Sequence, residues 1–133
     1  MEDTLQNNRD FMLARELGKM LEEHRADDVL VLDMRPLNFW TDYFIIATAM
    51  SSTHLSGLER HIKDFVLENG LEILRRSGNQ AGDYEWHLLD LGNSVIHLMT
   101  ASTRSFYELE RLWGQAPLVF KGRPAVNYSS NSS

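Results

Sequence analysis

The chain has 133 residues, with 13 Lys+Arg against 19 Asp+Glu, a formal net charge of -6 and no cysteine. That length suits one domain able to bury roughly two thirds of its unfolded surface around a single core. Without cysteine, a disulfide framework, a zinc ribbon, a cysteine-ligated iron–sulfur cluster and a thiol nucleophile are all excluded.

From Asn8 to about Arg25, Leu13, Leu17, Met20 and Leu21 recur at helical steps among charged residues, which predicts an amphipathic helix. The apolar run Val29–Leu32 predicts a buried strand that Asp33 ends, and Met34 to Thr41, with Pro36 and Asn38, a loop anchored by Phe39 and Trp40. Tyr43 to Thr48 is aromatic and β-branched and predicts a central strand. Ser51, Ser52 and Thr53 supply an N-cap for a helix carrying Leu55, Leu58, Ile62, Phe65 and Val66, which Asn69-Gly70 stops. Leu71 to Leu74 reads as a third strand and Arg75 to Gly82 as a polar loop. Tyr84–Leu91 and Val95–Thr100 flank Gly92-Asn93-Ser94, the signature of a tight antiparallel hairpin. Ser102 or Thr103 then caps a last helix, with Phe106, Leu109 and Leu112 or Trp113 on one side, which Gly114 ends. The expected fold is a single α/β domain over residues 1–113, with a mixed, mostly five-stranded sheet and flanking helices, and a partly disordered tail over 114–133.

All 19 acids but only 11 of the 13 bases lie in residues 1–113, so that stretch carries -8 and repels a phosphate backbone. Direct nucleic-acid binding is therefore not expected; near RNA, a basic protein would have to stand between. The acidic start, Met1-Glu2-Asp3-Thr4, is unlike a secretory signal, and Tyr43–Met50 is far short of the ~20 residues of a membrane helix. The expectation is a cytoplasmic protein with no membrane partner.

Catalytic motifs are missing. No phosphate-binding loop, GxGxxG or GxSxG is present, and Asp33, Asp42 and Asp90, at strand ends, form no Asp-x-Asp pair for two metal ions. His54 and His61 are two helical turns apart, too far for an i, i+4 metal pair. His97 sits inside an apolar strand, where an internal hydrogen bond accounts for it and a place in an interaction surface is the alternative. Trp86, Tyr107 and Trp113 read either as core or as interface anchors. No enzyme activity, cofactor or metal is expected.

Four blocks then form a pattern: Val31-Leu32-Asp33; Thr41 to Thr48 with Ser51, Ser52 and His54; Trp86 to Gly92 running to His97; and Arg104 with Phe106 to Trp113. In this order they resemble the ribosomal silencing factor, or Iojap, family over about Leu5 to Trp113. The resemblance implies a nucleotidyltransferase-like fold without the catalytic acids. It also implies binding to the large ribosomal subunit through its ribosomal protein fourteen, a basic protein, so that the small subunit cannot join and translation is repressed when nutrients are scarce. An assembly role at the same site is the alternative, and a homodimer of the free protein is left open. Carried over by position, the partner-binding residues are Trp86, Leu88, Asp90, His97, Tyr107 and Glu110. The chain departs from the family pattern at Glu85 and Asn93, where Asp is usual, and at Ala49-Met50, where Gly-Thr is usual.

Overall fold

The computed structural model describes residues 2–37, 39–81, 84–107 and 114–124. In chain order these form α1 (Glu2–Glu23), β1 (Asp27–Asp33), a 3-10 turn (Arg35–Leu37), β2 (Tyr43–Ala49), α2 (Ser52–Glu68), β3 (Arg75–Ala81), β4 (Tyr84–Asp90), β5 (Ser94–Thr100), α3 (Ala101–Tyr107) and β6 (Leu118–Lys121). The strands make one six-stranded sheet in the order β3-β4-β5-β2-β1-β6. Only β2 and β5 pair in parallel, Phe44 beside Val95 and Ile46 beside His97, because α2 and the β3–β4 hairpin intervene between them.

The central position of β2 follows from its composition. All seven of its residues are buried, because helices cover one face and the α3 side the other, and such a strand is mostly apolar, with the Thr48 hydroxyl bonded by Arg104. On the first face Ile45, Ala47, Ile96 and Leu98 meet Leu17 and Leu21 of α1 and Leu55, Leu58 and Ile62 of α2. On the second, Phe44, Ile46, Val95 and Met99 join Leu32, Met34 and Ala116, with Phe39, Trp86 and Leu88 packed at the margin.

The helix ends behave as their chemistry dictates. Ser51 caps α2, its side chain accepting the His54 N–H at 3.0 Å. Gly70, at φ 66°, follows the Asn69 C-cap, and a glycine takes this left-handed turn without strain. Inside α1, Gly18 lets the helix lie close on the sheet: a Cβ there would stand 2.5 Å from Val31 Cγ2. Gly18→Ala gains about 1 kcal/mol of helix propensity, but the β-branched Val31 cannot swing aside. Overpacking of about 1–3 kcal/mol wins, and urea denaturation should show a net loss of about 1 kcal/mol.

Two segments depart from the sequence reading. Leu71–Leu74 is not a strand: its first amide bonds the Val66 carbonyl, its last the Asp90 carbonyl, and Leu71 and Ile73 cover the margin of the first core. The strand is the polar stretch after it, Arg75–Ala81, which was expected to be a loop. It lies at the sheet edge, paired only with β4, so its side chains need no apolar pattern. The sheet also has six strands rather than five. Residues 117–123, expected in the tail, run along β1, with Asp33 N–H on Pro117 O and Gly122 N–H on Val29 O, and Arg123 faces Glu22 of α1. Among the described residues no helix is long and apolar enough to cross a membrane.

Candidate docking site

Four of the six residues singled out by sequence converge on the second sheet face. On β4, Trp86, Leu88 and Asp90 alternate onto one side, and across the hairpin they oppose Met99, His97 and Val95 of β5. Tyr107 ends α3, and Glu110 lies outside the described residues.

The four differ in what they can offer a partner. Asp90 is buried and occupied: one oxygen accepts the Gly92 N–H at 2.8 Å, the other meets Arg75 Nη2 at 3.2 Å. It holds the hairpin turn, where Gly92 adopts φ 92°. His97 is buried as well, and the Trp86 indole N–H donates to its Nδ1 at 3.2 Å. Since the indole can only donate, Nδ1 must accept, which makes the ring neutral. Burial acts in the same direction and pushes its pKa down to about 4. Trp86 and Leu88 remain half-buried. Their outer neighbours on β3 are Asn79 and Ser77, exposed residues too small to cover them. The result is an apolar ridge of one indole and one leucine, backed by a rigid sheet and with its indole orientation set by His97.

Asn93, the departure from the family pattern, has a partner of its own: its side-chain amide donates to Asp10 of α1 at 3.0 Å. A carboxylate at position 93 would oppose another carboxylate there. Arg104 ties α3 to the sheet, with Nη1 donating to the Asp28 carbonyl at 2.5 Å and the Thr48 hydroxyl at 2.9 Å.

Sequence reasoning missed a charged cluster under the other face of β4. Glu59, buried on α2, accepts from Arg76 Nε at 3.1 Å and Nη2 at 3.0 Å, meets Lys63 at 3.3 Å and faces His87 Nδ1 at 2.9 Å. His87 Nε2 in turn lies 2.9 Å from Glu85, which also accepts the Ser52 hydroxyl at the start of α2. Burial works to raise the Glu59 carboxyl, but the hydrogen bonds from Arg76, His87 and Lys63 outweigh it and hold it below its ordinary value. A signal was present: Leu55, Glu59, Ile62 and Val66 form one helical stripe, with a carboxylate at a core position. The histidines of α2 likewise have neighbours that spacing could not show. His61 stacks on His24, in the turn after α1, with ring centroids 3.5 Å apart, and His54 Nε2 reaches the His24 carbonyl at 2.9 Å.

Among the described residues no three His, Asp or Glu side chains converge to hold a metal ion. What the second face presents is the half-buried pair Trp86 and Leu88 on the sheet.

Known proteins resemble the chain over most of its length. Residues 6–132 match the family described as ribosomal silencing factor during starvation. The chain is 39% identical over 98 residues to ribosomal silencing factor RsfS of Bacillus subtilis, covering 74% of this chain and 81% of that protein. It is 33% identical over 100 residues to a mouse protein named mitochondrial assembly of ribosomal large subunit protein 1, covering 73% of this chain and 43% of that one. A crystal structure of a Chromobacterium violaceum protein superposes with a TM-score of 0.67 at 28% identity, over 95% of this chain and 98% of that one. With a match over residues 6–132 and these relatives, the chain belongs to the ribosomal silencing factor family.

Proposed function

We propose that this protein binds the free large ribosomal subunit in the cytoplasm, through ribosomal protein fourteen of that subunit, and blocks joining of the small subunit. The observation that carries the reading is the half-covered Trp86–Leu88 ridge on a rigid sheet, in a chain of the silencing family. Its supporting physics is steric and electrostatic. A domain with a -8 stretch is steered to a basic protein and away from bare RNA. A fixed aromatic anchor then slows dissociation. Trp86 and Leu88 act as anchors, while His97 orients the indole and Asp90 holds the hairpin turn; Tyr107 and Glu110 are partner residues by the family resemblance.

Purified small and large subunits mixed with increasing protein should show a falling fraction of joined ribosomes on a sucrose gradient, with the protein co-sedimenting with large subunits alone. An unchanged joined fraction at saturating protein would refute the block. A second reading, assembly of the large subunit, is favoured by the name of the mouse relative. It predicts co-sedimentation with precursor particles in preference to mature ones.

A further inference from the structure

We propose that His24 and His61 form a pH-sensitive latch, which holds the turn from α1 into β1 against α2 while the pair carries at most one proton and opens it when both rings are protonated. The latch lies on the helix-covered side of the sheet, whereas Trp86 belongs to the other side, so it does not depend on the reading of function above.

The turn is one that needs holding. Arg25 N–H bonds the Glu22 carbonyl at 2.9 Å and Ala26 N–H the Leu21 carbonyl at 3.0 Å, the pair of bonds that closes a helix on a left-handed residue. Glycine is usual there, but the residue is Arg25, at φ 71°, and a side chain is strained in that conformation. Ala26, the next residue, is buried in the first core. A helix end closed on an arginine relies on contacts from elsewhere in the fold to stay closed.

Those contacts come from α2 and converge on His24, the residue before Arg25. Its ring stacks on His61, with centroids 3.5 Å apart and the planes 13° from parallel. Its carbonyl, left over at the helix end, accepts from His54 Nε2 at 2.9 Å. The tautomer of His54 is set by its other nitrogen: Met50 N–H donates to Nδ1 at 2.9 Å, so Nδ1 accepts and Nε2 carries the hydrogen.

Protons act on this joint in sequence. Two neutral imidazoles stack as flat rings, and a single proton on His24 suits the C-terminal end of α1, where the helix dipole favours positive charge. A second proton, on His61, sets two like charges face to face at the stacking distance. Burial and the neighbouring His24 push the His61 pKa below its ordinary value; of the charged side chains of α2 beside it, Arg60 acts in the same direction and Asp64 against it. The folded His61 therefore takes its proton at a lower pH than the unfolded chain does, so the contact is complete at neutral pH and weakens as pH falls below 6.5.

The test is amide hydrogen exchange by NMR on the full chain, expressed as protection factors, from about pH 7.5 to about pH 5. Arg25 and Ala26 amides, whose bonds close the turn, should lose protection by about fivefold or more across that range, while amides of β2 and β5, which open only with the whole sheet, report global stability. His61→Phe keeps a flat ring against His24 that cannot take a proton, and His24→Phe does the same from the other side; in both, protection at residues 25 and 26 should follow the β2 and β5 control at every pH. Wild-type protection at Arg25 and Ala26 that tracks the control would overturn the latch. So would an equal excess loss in the two phenylalanine variants, which would place the response in another group.

Discussion

Trp86→Ala is expected to lower affinity for the large subunit by on the order of 2 kcal/mol, about thirtyfold, as measured by calorimetry with purified subunits. The indole is the larger member of the half-buried ridge, and its Nε1 bond to His97 fixes its orientation before a partner arrives. Truncation removes contact area and that orientation together. Because Trp86 also packs on the second core, part of the effect could be lost stability, which Trp86→Phe separates. Phenylalanine keeps most of the packing and loses only the N–H bond, worth about 1 kcal/mol of stability. It should retain most of the binding. Wild-type affinity in Trp86→Ala would remove the ridge from the interface.

The largest stability effect is expected at Glu59. Glu59→Gln removes the carboxylate on which Arg76, Lys63 and His87 converge and leaves a buried cluster short of negative charge. Breaking buried ion pairs costs about 3–5 kcal/mol. Arg76 and Lys63 are roughly half exposed and can turn to water, so about 2–3 kcal/mol is expected. For a chain of this length that corresponds to a drop of about 8–10 °C in Tm. The pH dependence fixes the cause. The Glu59 carboxyl is held below its ordinary 4.5 in the fold, so its contribution is complete above that value and is lost as pH falls through the lowered one. The gap between wild type and Glu59→Gln in urea should therefore be widest at neutral pH and close in acid. A gap independent of pH would mean that shape, not charge, is at stake. His97 acts in a different window. Its pKa falls from 6.5 to about 4 on folding, so both variants lose stability as pH drops between those values, without altering the gap.

The two effects differ because of where the side chains end. Glu59 is buried beneath β4 and its substitution acts on stability, whereas Trp86 packs at the margin of the second core and is only half-buried. An assay of binding and an assay of unfolding should therefore rank the two variants in opposite order.

The sequence by itself determined the elements whose side chains satisfy local physics. The β2 and β5 strands are mostly apolar because both their faces are covered, Ser51 caps because α2 has unpaired amides, and Gly92-Asn93 turns the hairpin because glycine tolerates positive φ. Alternation along Trp86, Leu88 and Asp90 already put those three on one side of a strand. What alternation could not decide is which of them a partner can reach. Asp90 and His97 are closed off because their partners Arg75 and Trp86 come from other strands, at separations of 15 and 11 residues. The edge strands β3 and β6 were illegible for a related reason: a strand paired on one side only need not look apolar, so its identity resides in its neighbour. Likewise Glu59 and Arg76 on one side of the sheet, and Trp86 and His97 on the other, became related only when the chain was folded, because local periodicity carries no information about which distant side chain completes a pair.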